Sequence, residues 1–139
     1  MDAKRCTVSV SVVAYNEQSR IFRCLMSLKR QSNYQDIDQI IIIDNCSTDN
    51  TSAKIIDFIQ EHGDEKWSFY RTNINALGDS RNFALKQVRD SRWITYVDAD
   101  SYLPENWLAN HIKNFQKISK RGLKVGAVGG VISYQIPIW

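Results

Sequence analysis

Ile40-Ile41-Ile42-Ile43-Asp44-Asn45-Cys46-Ser47-Thr48-Asp49 decides the fold. Four consecutive β-branched residues offer apolar side chains to both faces of a strand. That suits the buried centre of a parallel sheet. The run stops at Asp44, which places a carboxylate at the carboxyl edge of the strand. In open α/β sheets ligands bind outside that edge.

Working outward, other segments end in the same way. Thr7–Ala14 reads as a first strand that stops at Tyr15-Asn16-Glu17. From Gln18 to Arg30 the period becomes helical, with Ile21, Phe22, Leu25 and Leu28 inward and Arg20, Arg23 and Lys29 opposite. After the isoleucine strand, Ser47, Thr48, Asp49 or Asn50 caps a second helix with Ile55, Ile56 and Ile59 inward, ended by Gly63. Trp67–Arg71 is a third strand. A helix follows from about Asp79 to Arg89, with Phe83, Ala84 and Val88 inward. Trp93–Val97 is a fourth strand, stopping at Asp98-Ala99-Asp100. Pro104 suits the first position of a fourth helix, with Trp107, Leu108, Ile112 and Phe115 as its inner stripe and Gly122 as its breaker. Lys124–Tyr134 reads as a fifth strand. The β-α-β-α-β-α-β-α-β order predicts one α/β domain over residues 1–139: a Rossmann-type, mainly parallel sheet with flanking helices and right-handed crossovers.

Composition narrows the class. With 139 residues, 43% hydrophobic and 24% charged, the chain reads as soluble and globular. A net charge of +3 without a basic block argues against nucleic acid as a partner. Cys6, Cys24 and Cys46 form neither a CxxC pair nor a metal cluster, and read as free thiols of a reducing compartment. The short polar N-terminus is not a signal peptide, and no apolar run is long enough to span a bilayer. The expected location is the cytosol.

Three strand ends carry acceptor-rich side chains: Asn16 and Glu17, Asp44 and Asn45, Asp98 and Asp100. Taken singly, each has an ordinary reading as a helix opener, an Asx turn or a cap. Jointly they converge where this fold class binds ligands. Carboxylates at i and i+2 after a strand suit a hard cation, magnesium or manganese, which keeps waters and substrate phosphates as further ligands. Such an ion neutralises a diphosphate leaving group. Asp44 suits the imide N–H of a pyrimidine and Glu17 suits ribose hydroxyls, although the spacing forces neither assignment. Gly78 ahead of a helix lets backbone N–H groups approach an anion, and Arg81 pairs with Asp98 or a phosphate. Neither a Walker A loop nor Gly-x-Gly-x-x-Gly occurs.

Ser11–Glu17, Ile43–Asp49, Gly78-Asp79-Ser80-Arg81-Asn82 and Tyr96–Asp100 together resemble, in order and spacing, the four successive motifs of the family 2 glycosyltransferases, which have the GT-A fold. The resemblance implies that Ala14, Tyr15, Asn16 and Glu17 line the base and ribose. It implies that Asp44, with Asn45 beside it, binds uracil or thymine, and that Gly78 and Arg81 lie near the base and the aspartates. Asp98-Ala99-Asp100 would be the DxD motif, with Asp98 and Asp100 on the metal and Asp100 its direct ligand. Members transfer a sugar from a nucleotide diphosphate sugar, commonly with inversion, to an acceptor hydroxyl deprotonated by a base. The expected donor is a UDP or dTDP sugar, and the expected acceptor is a glycan or lipid-linked. Relatives that build surface glycans put the inner membrane surface among its expected places.

Two departures stand out. Cys46 occupies a turn position where many members have glycine, which argues against a positive-φ turn there. The family's acceptor half and catalytic base follow the fifth strand, and none of Asp64, Glu65 or Asp90 occupies that place. The chain is therefore expected to be a donor-binding half, its base unassigned beyond residue 139, with an apolar surface at Tyr134, Ile136, Ile138 and Trp139 that favours self-association. The alternative is a non-catalytic nucleotide-binding module that keeps the donor site. Phosphoryl transfer from Asp98 is disfavoured, because three strands precede it.

Overall fold

The isoleucine run extends on its amino side, so that one strand covers Ile37–Asp44. The structure, a computed structural model, describes residues 7–73, 75–122, 124–127 and 129. In chain order the elements are β1 (Val8–Ala14), α1 (Ile21–Lys29), a 3-10 turn (Tyr34–Asp36), β2 (Ile37–Asp44), α2 (Thr51–His62), β3 (Trp67–Arg71), α3 (Leu77–Gln87), β4 (Trp93–Asp98) and α4 (Trp107–Ser119). The four strands form a parallel sheet of order β3-β2-β1-β4. All seven residues of β1 are buried, as a strand covered on both faces requires.

Alternation splits the sheet into two cores. Val10, Val12, Ile40, Ile42 and Val97 pack with Leu25 and Leu28 of α1, Ile55 and Phe58 of α2, and Leu108 of α4. Val13, Ile41 and Ile43 pack with Ala84 of α3 on the other face. The chain steps from β1 to β2 to β3 in one direction, then returns across the sheet to β4. Right-handed crossovers put α1 and α2 on one face and the returning α3 on the other, as observed.

Two inner stripes differ from expectation. Phe22 is half exposed and Ile56 is 41% exposed; Cys24 and Phe58 take the inward places. Adjacent helical residues are turned by about 100°, so a neighbour of an inward residue leaves the face however apolar it is. Phe22 lies over the α1–α2 seam instead, edge-on to Phe58 at 5.6 Å. Gly63 ends α2 in an extended conformation (φ −72°, ψ 170°) and not a left-handed one. Its role is clearance: a Cβ there would sit 2.5 Å from the Ile59 carbonyl oxygen. Pro104 precedes α4 as a turn residue whose carbonyl accepts from Trp107 N–H, and the helix starts at Trp107. Most of the expected fifth strand lies outside the described residues, as do Cys6, Tyr134, Ile136, Ile138 and Trp139; Lys124–Ala127, which are described, carry no strand.

Away from the carboxyl edge, Asp64 clasps the amino end of β3. Its carboxylate accepts from Lys29 Nζ at 2.8 Å, Tyr34 O–H at 2.7 Å and Lys66 N–H at 3.0 Å. Partial burial works against the charge, but the hydrogen bonds from Lys29, Tyr34 and Lys66 together outweigh it and hold the carboxyl below its usual range. A depressed folded-state value stabilises above the unfolded pKa, about 3.9, and that stability is lost as pH falls through the folded value. Asp64→Asn is therefore expected to cost about 1–2 kcal/mol at pH 7, with the gap to the unsubstituted protein narrowing as pH falls below the unfolded value and through the lower folded one, read as melting temperature against pH.

Candidate functional site

Parallel register brings the strand ends into line. Ala14 pairs with Asp44, Val13 with Asp98, and Asp44 with Arg71. The loops after β1, β2, β3 and β4 therefore leave one edge of the sheet. Strand order reverses at β1, with β2 and β3 on one side and β4 on the other, and ligands of open α/β sheets enter at that reversal.

The β1 and β2 loops are sewn together. Asn16, with φ 53°, donates its N–H to Ser47 Oγ at 3.0 Å and accepts Thr48 N–H at 2.9 Å. Glu17 N–H donates to Thr51 Oγ1 at 2.8 Å, and Asn45 N–H to the Ala14 carbonyl at 2.8 Å. Asp49 caps the start of α2 by accepting Thr51 N–H at 2.9 Å. Cys46 adopts φ 64°, contrary to expectation. A left-handed non-glycine residue costs about 1–2 kcal/mol. Here the turn is held from both sides, by Ser47 N–H on Asp44 Oδ1 at 2.9 Å and by Arg71 on the Ser47 carbonyl at 2.8 Å.

The sequence-predicted residues fall into two groups. Ala14, Asp44 and Asn45 are buried beneath the edge. Asp44 is fully enclosed: Oδ1 accepts Ser47 N–H, Oδ2 accepts the Ser52 hydroxyl, and Arg71 Nε lies 3.7 Å from Oδ2. Asn45 fastens the segment before α3, accepting Ser80 O–H at 2.9 Å and Ala76 N–H at 3.1 Å and donating to Asn75 at 2.8 Å. Tyr15, Asn16, Asp98 and Asp100 face outward. Glu17 lies between, its carboxylate held by Arg20 Nε at 2.6 Å and Nη2 at 2.8 Å. Gly78 is exposed in the first turn of α3, not ahead of the helix, and a Cβ there would meet nothing. Arg71 was not anticipated. Its place as last residue of a strand at the same edge as Asp44 was the available signal.

The β4 end forms an acidic turn. Ser101 N–H donates to the Asp98 carbonyl at 2.9 Å, closing Asp98–Ser101. Ala99 is anchored in the core, so the carboxylates on either side of it point to solvent. Arg81 reaches across from α3 to Asp98 Oδ1 at 3.0 Å and lies 5.8 Å from the Tyr96 ring. Beneath the turn the Cys24 thiol is pushed up to about 12, by burial first and then by the Asp100 and Asp98 charges, so it stays protonated. No cluster of three His, Cys, Asp or Glu occurs among the described residues. Two solvated carboxylates fit magnesium or manganese shared with phosphate oxygens and water, and do not fit a closed protein cage.

The sequence profile of glycosyl transferase family 2 matches residues 9–131. The chain belongs to that family. The poly(ribitol-phosphate) β-N-acetylglucosaminyltransferase TarS of Staphylococcus aureus is 33% identical over 100 residues, which is 72% of this chain and 17% of TarS. A dolichyl-phosphate-sugar glucuronosyltransferase of Methanococcus voltae is 27% identical over 91% of this chain and 39% of its own. TarS solved with UDP-GlcNAc superposes at TM-score 0.68 and 25% identity over 80% of this chain and 31% of that one. A Pyrobaculum calidifontis mannosyltransferase, solved with GDP-Man and Mn2+, superposes at TM-score 0.70 and, at 24% identity, shows the same GT-A fold. This glycosyltransferase chain thus spans about two fifths or less of the length of these relatives.

Proposed function

We propose that this family 2 glycosyltransferase domain binds a UDP-linked sugar along the aligned strand ends, as the donor half of an enzyme that transfers the sugar to a glycan or lipid-linked acceptor. The observation that carries the reading is the pairing, at one sheet edge, of a rigid loop platform with a solvated two-carboxylate turn. The fold shared with TarS, solved with UDP-GlcNAc, supports UDP.

Tyr15, 44% exposed just after β1, offers a ring for the base. Glu17 reaches the ribose from its ion pair with Arg20. Asp98 and Asp100 would hold magnesium or manganese. That ion, when bound, neutralises charge on the leaving diphosphate. Arg81, freed from Asp98, adds its guanidinium to a phosphate oxygen. The donor's anomeric C–O bond breaks as the acceptor oxygen attacks, and the base that takes the acceptor proton belongs to the acceptor half. No described helix is long and apolar enough to cross a membrane. A lipid-linked acceptor would bring the domain to the inner membrane surface.

Calorimetry with UDP, with and without Mn2+, tests the reading. UDP is expected to bind, with manganese raising the affinity by about tenfold or more. No heat in either condition, or manganese-independent affinity, overturns it.

A further inference from the structure

Three polar side chains are buried on the core-facing side of α1 and its following turn. Cys24, Ser27 and Gln31 are 0%, 3% and 4% exposed, spaced by three and four residues. A helix that only covers a sheet fills that face with aliphatic residues. A polar group there is unfavourable unless its hydrogen bonds are made. These three make theirs, and each bond their side chains make outside this helix and its turn goes to main chain between Asp98 and Leu108. The Cys24 thiol donates to the Asp98 carbonyl at 3.7 Å. Ser27 Oγ accepts Leu103 N–H at 3.2 Å while donating to the Cys24 carbonyl at 2.7 Å. Gln31 Nε2 donates to the Pro104 carbonyl at 2.8 Å and Oε1 accepts Leu108 N–H at 2.9 Å. Ser101–Asn106 has neither helix nor strand to order it.

We infer that this buried polar stripe positions the acidic turn, so that metal-dependent nucleotide affinity depends on side chains that touch neither metal nor nucleotide. The inference rests on the donor-site reading above. Its physical basis is preorganisation. A carboxylate pair on an unstructured segment would lose conformational freedom on each binding event, whereas a segment tied at Asp98, Leu103, Pro104 and Leu108 has lost it on folding. A stripe that only fastened α4 to α1 would act through stability alone. Its strongest member would then be Gln31, which makes the most bonds and lies farthest from the aspartates.

Cys24→Ala, Ser27→Ala and the conservative Cys24→Ser separate these roles through two readouts. One is amide exchange at Ser101 against Ile42 of β2. The other is UDP calorimetry with and without Mn2+. Both alanine variants are expected to speed exchange at Ser101 selectively and to lower manganese-dependent UDP affinity about tenfold, leaving manganese-free UDP binding within about twofold. Cys24→Ser, which keeps a donor for the Asp98 carbonyl, is expected to restore both. Variants that melt earlier yet keep wild-type Ser101 protection and manganese dependence overturn the inference. If the unsubstituted protein shows no manganese dependence, the metal reading fails by itself. Ser101 exchange then decides the tether: selective loss of protection supports it, and no loss overturns it.

Discussion

Asp100→Asn is expected to lower manganese-dependent UDP affinity by about a hundredfold, while Asp98→Asn lowers it by only about tenfold. The two carboxylates differ in what already engages them. Asp98 is paired with Arg81 at 3.0 Å, so part of its charge is neutralised before any ligand arrives. Asp100 makes no ion pair among the described residues and stands at the exposed third position of the turn. Removing the Asp98 charge also releases Arg81, whose guanidinium can then meet the diphosphate and recover part of the loss. Both side chains are exposed, so unfolding free energies should stay within about 0.5 kcal/mol of the unsubstituted protein. Calorimetry with UDP at fixed Mn2+ reads the contrast. Equal losses in the two variants would show that Arg81 has no share in the site.

Asp44→Ala is expected to destabilise the domain by about 3 kcal/mol, the largest stability loss of any substitution at this edge. The carboxylate is fully buried and serves Ser47 N–H, the Ser52 hydroxyl and Arg71 together. Alanine strands the buried Ser47 N–H, at about 1–3 kcal/mol, takes the acceptor from the part-exposed Ser52 hydroxyl, and leaves a cavity where the carboxylate was. The Arg71 contribution is small, because that side chain is 54% exposed and keeps its hydration. Asp44→Asn keeps an acceptor for Ser47 N–H but sets an amide donor against Ser52 and Arg71, and should lose roughly half as much. Urea unfolding measures both variants. The loss should extend to the Cys46 turn, because the Asp44–Ser47 bond holds its left-handed backbone. If Asp44 also contacts the base directly, Asp44→Asn will lose UDP affinity at temperatures where it remains fully folded.

Much of the frame is legible in local pattern. The isoleucine run, the alternating first strand and Trp67–Arg71 are found where the sequence puts them, because apolar periodicity bounded by polar stops is a local signal. Errors appear where a choice depends on angle or on a distant partner. Phe22 and Ile56 are as apolar as the residues that replace them, and only their rotation about the helix axis turns them out. Cys46 turns left-handed against expectation, and Gly63 ends its helix extended. Glycine is kept at one for room beside Ile59, and cysteine is held left-handed at the other by Asp44 and Arg71. The polar stripe on α1 looks like an ordinary mixture of small residues until the segment after β4 is laid across it.

The sequence by itself determined an α/β domain of this family, with acceptor-rich side chains at the ends of its first, second and fourth strands. Strand periodicity and abrupt polar stops are written within a few residues, and parallel topology then obliges those stops to share an edge. Only the tertiary structure decided which of those side chains are buried and which face solvent. Asp44 is turned inward because Ser52, eight residues on, and Arg71, on the neighbouring strand, supply its partners. Asp98 and Asp100 are turned outward because Ala99 between them is drawn into the core and α1 grips the chain beneath. Burial of a carboxylate is a balance between desolvation and partners brought from elsewhere in the chain, and no local stretch of sequence contains both sides of it.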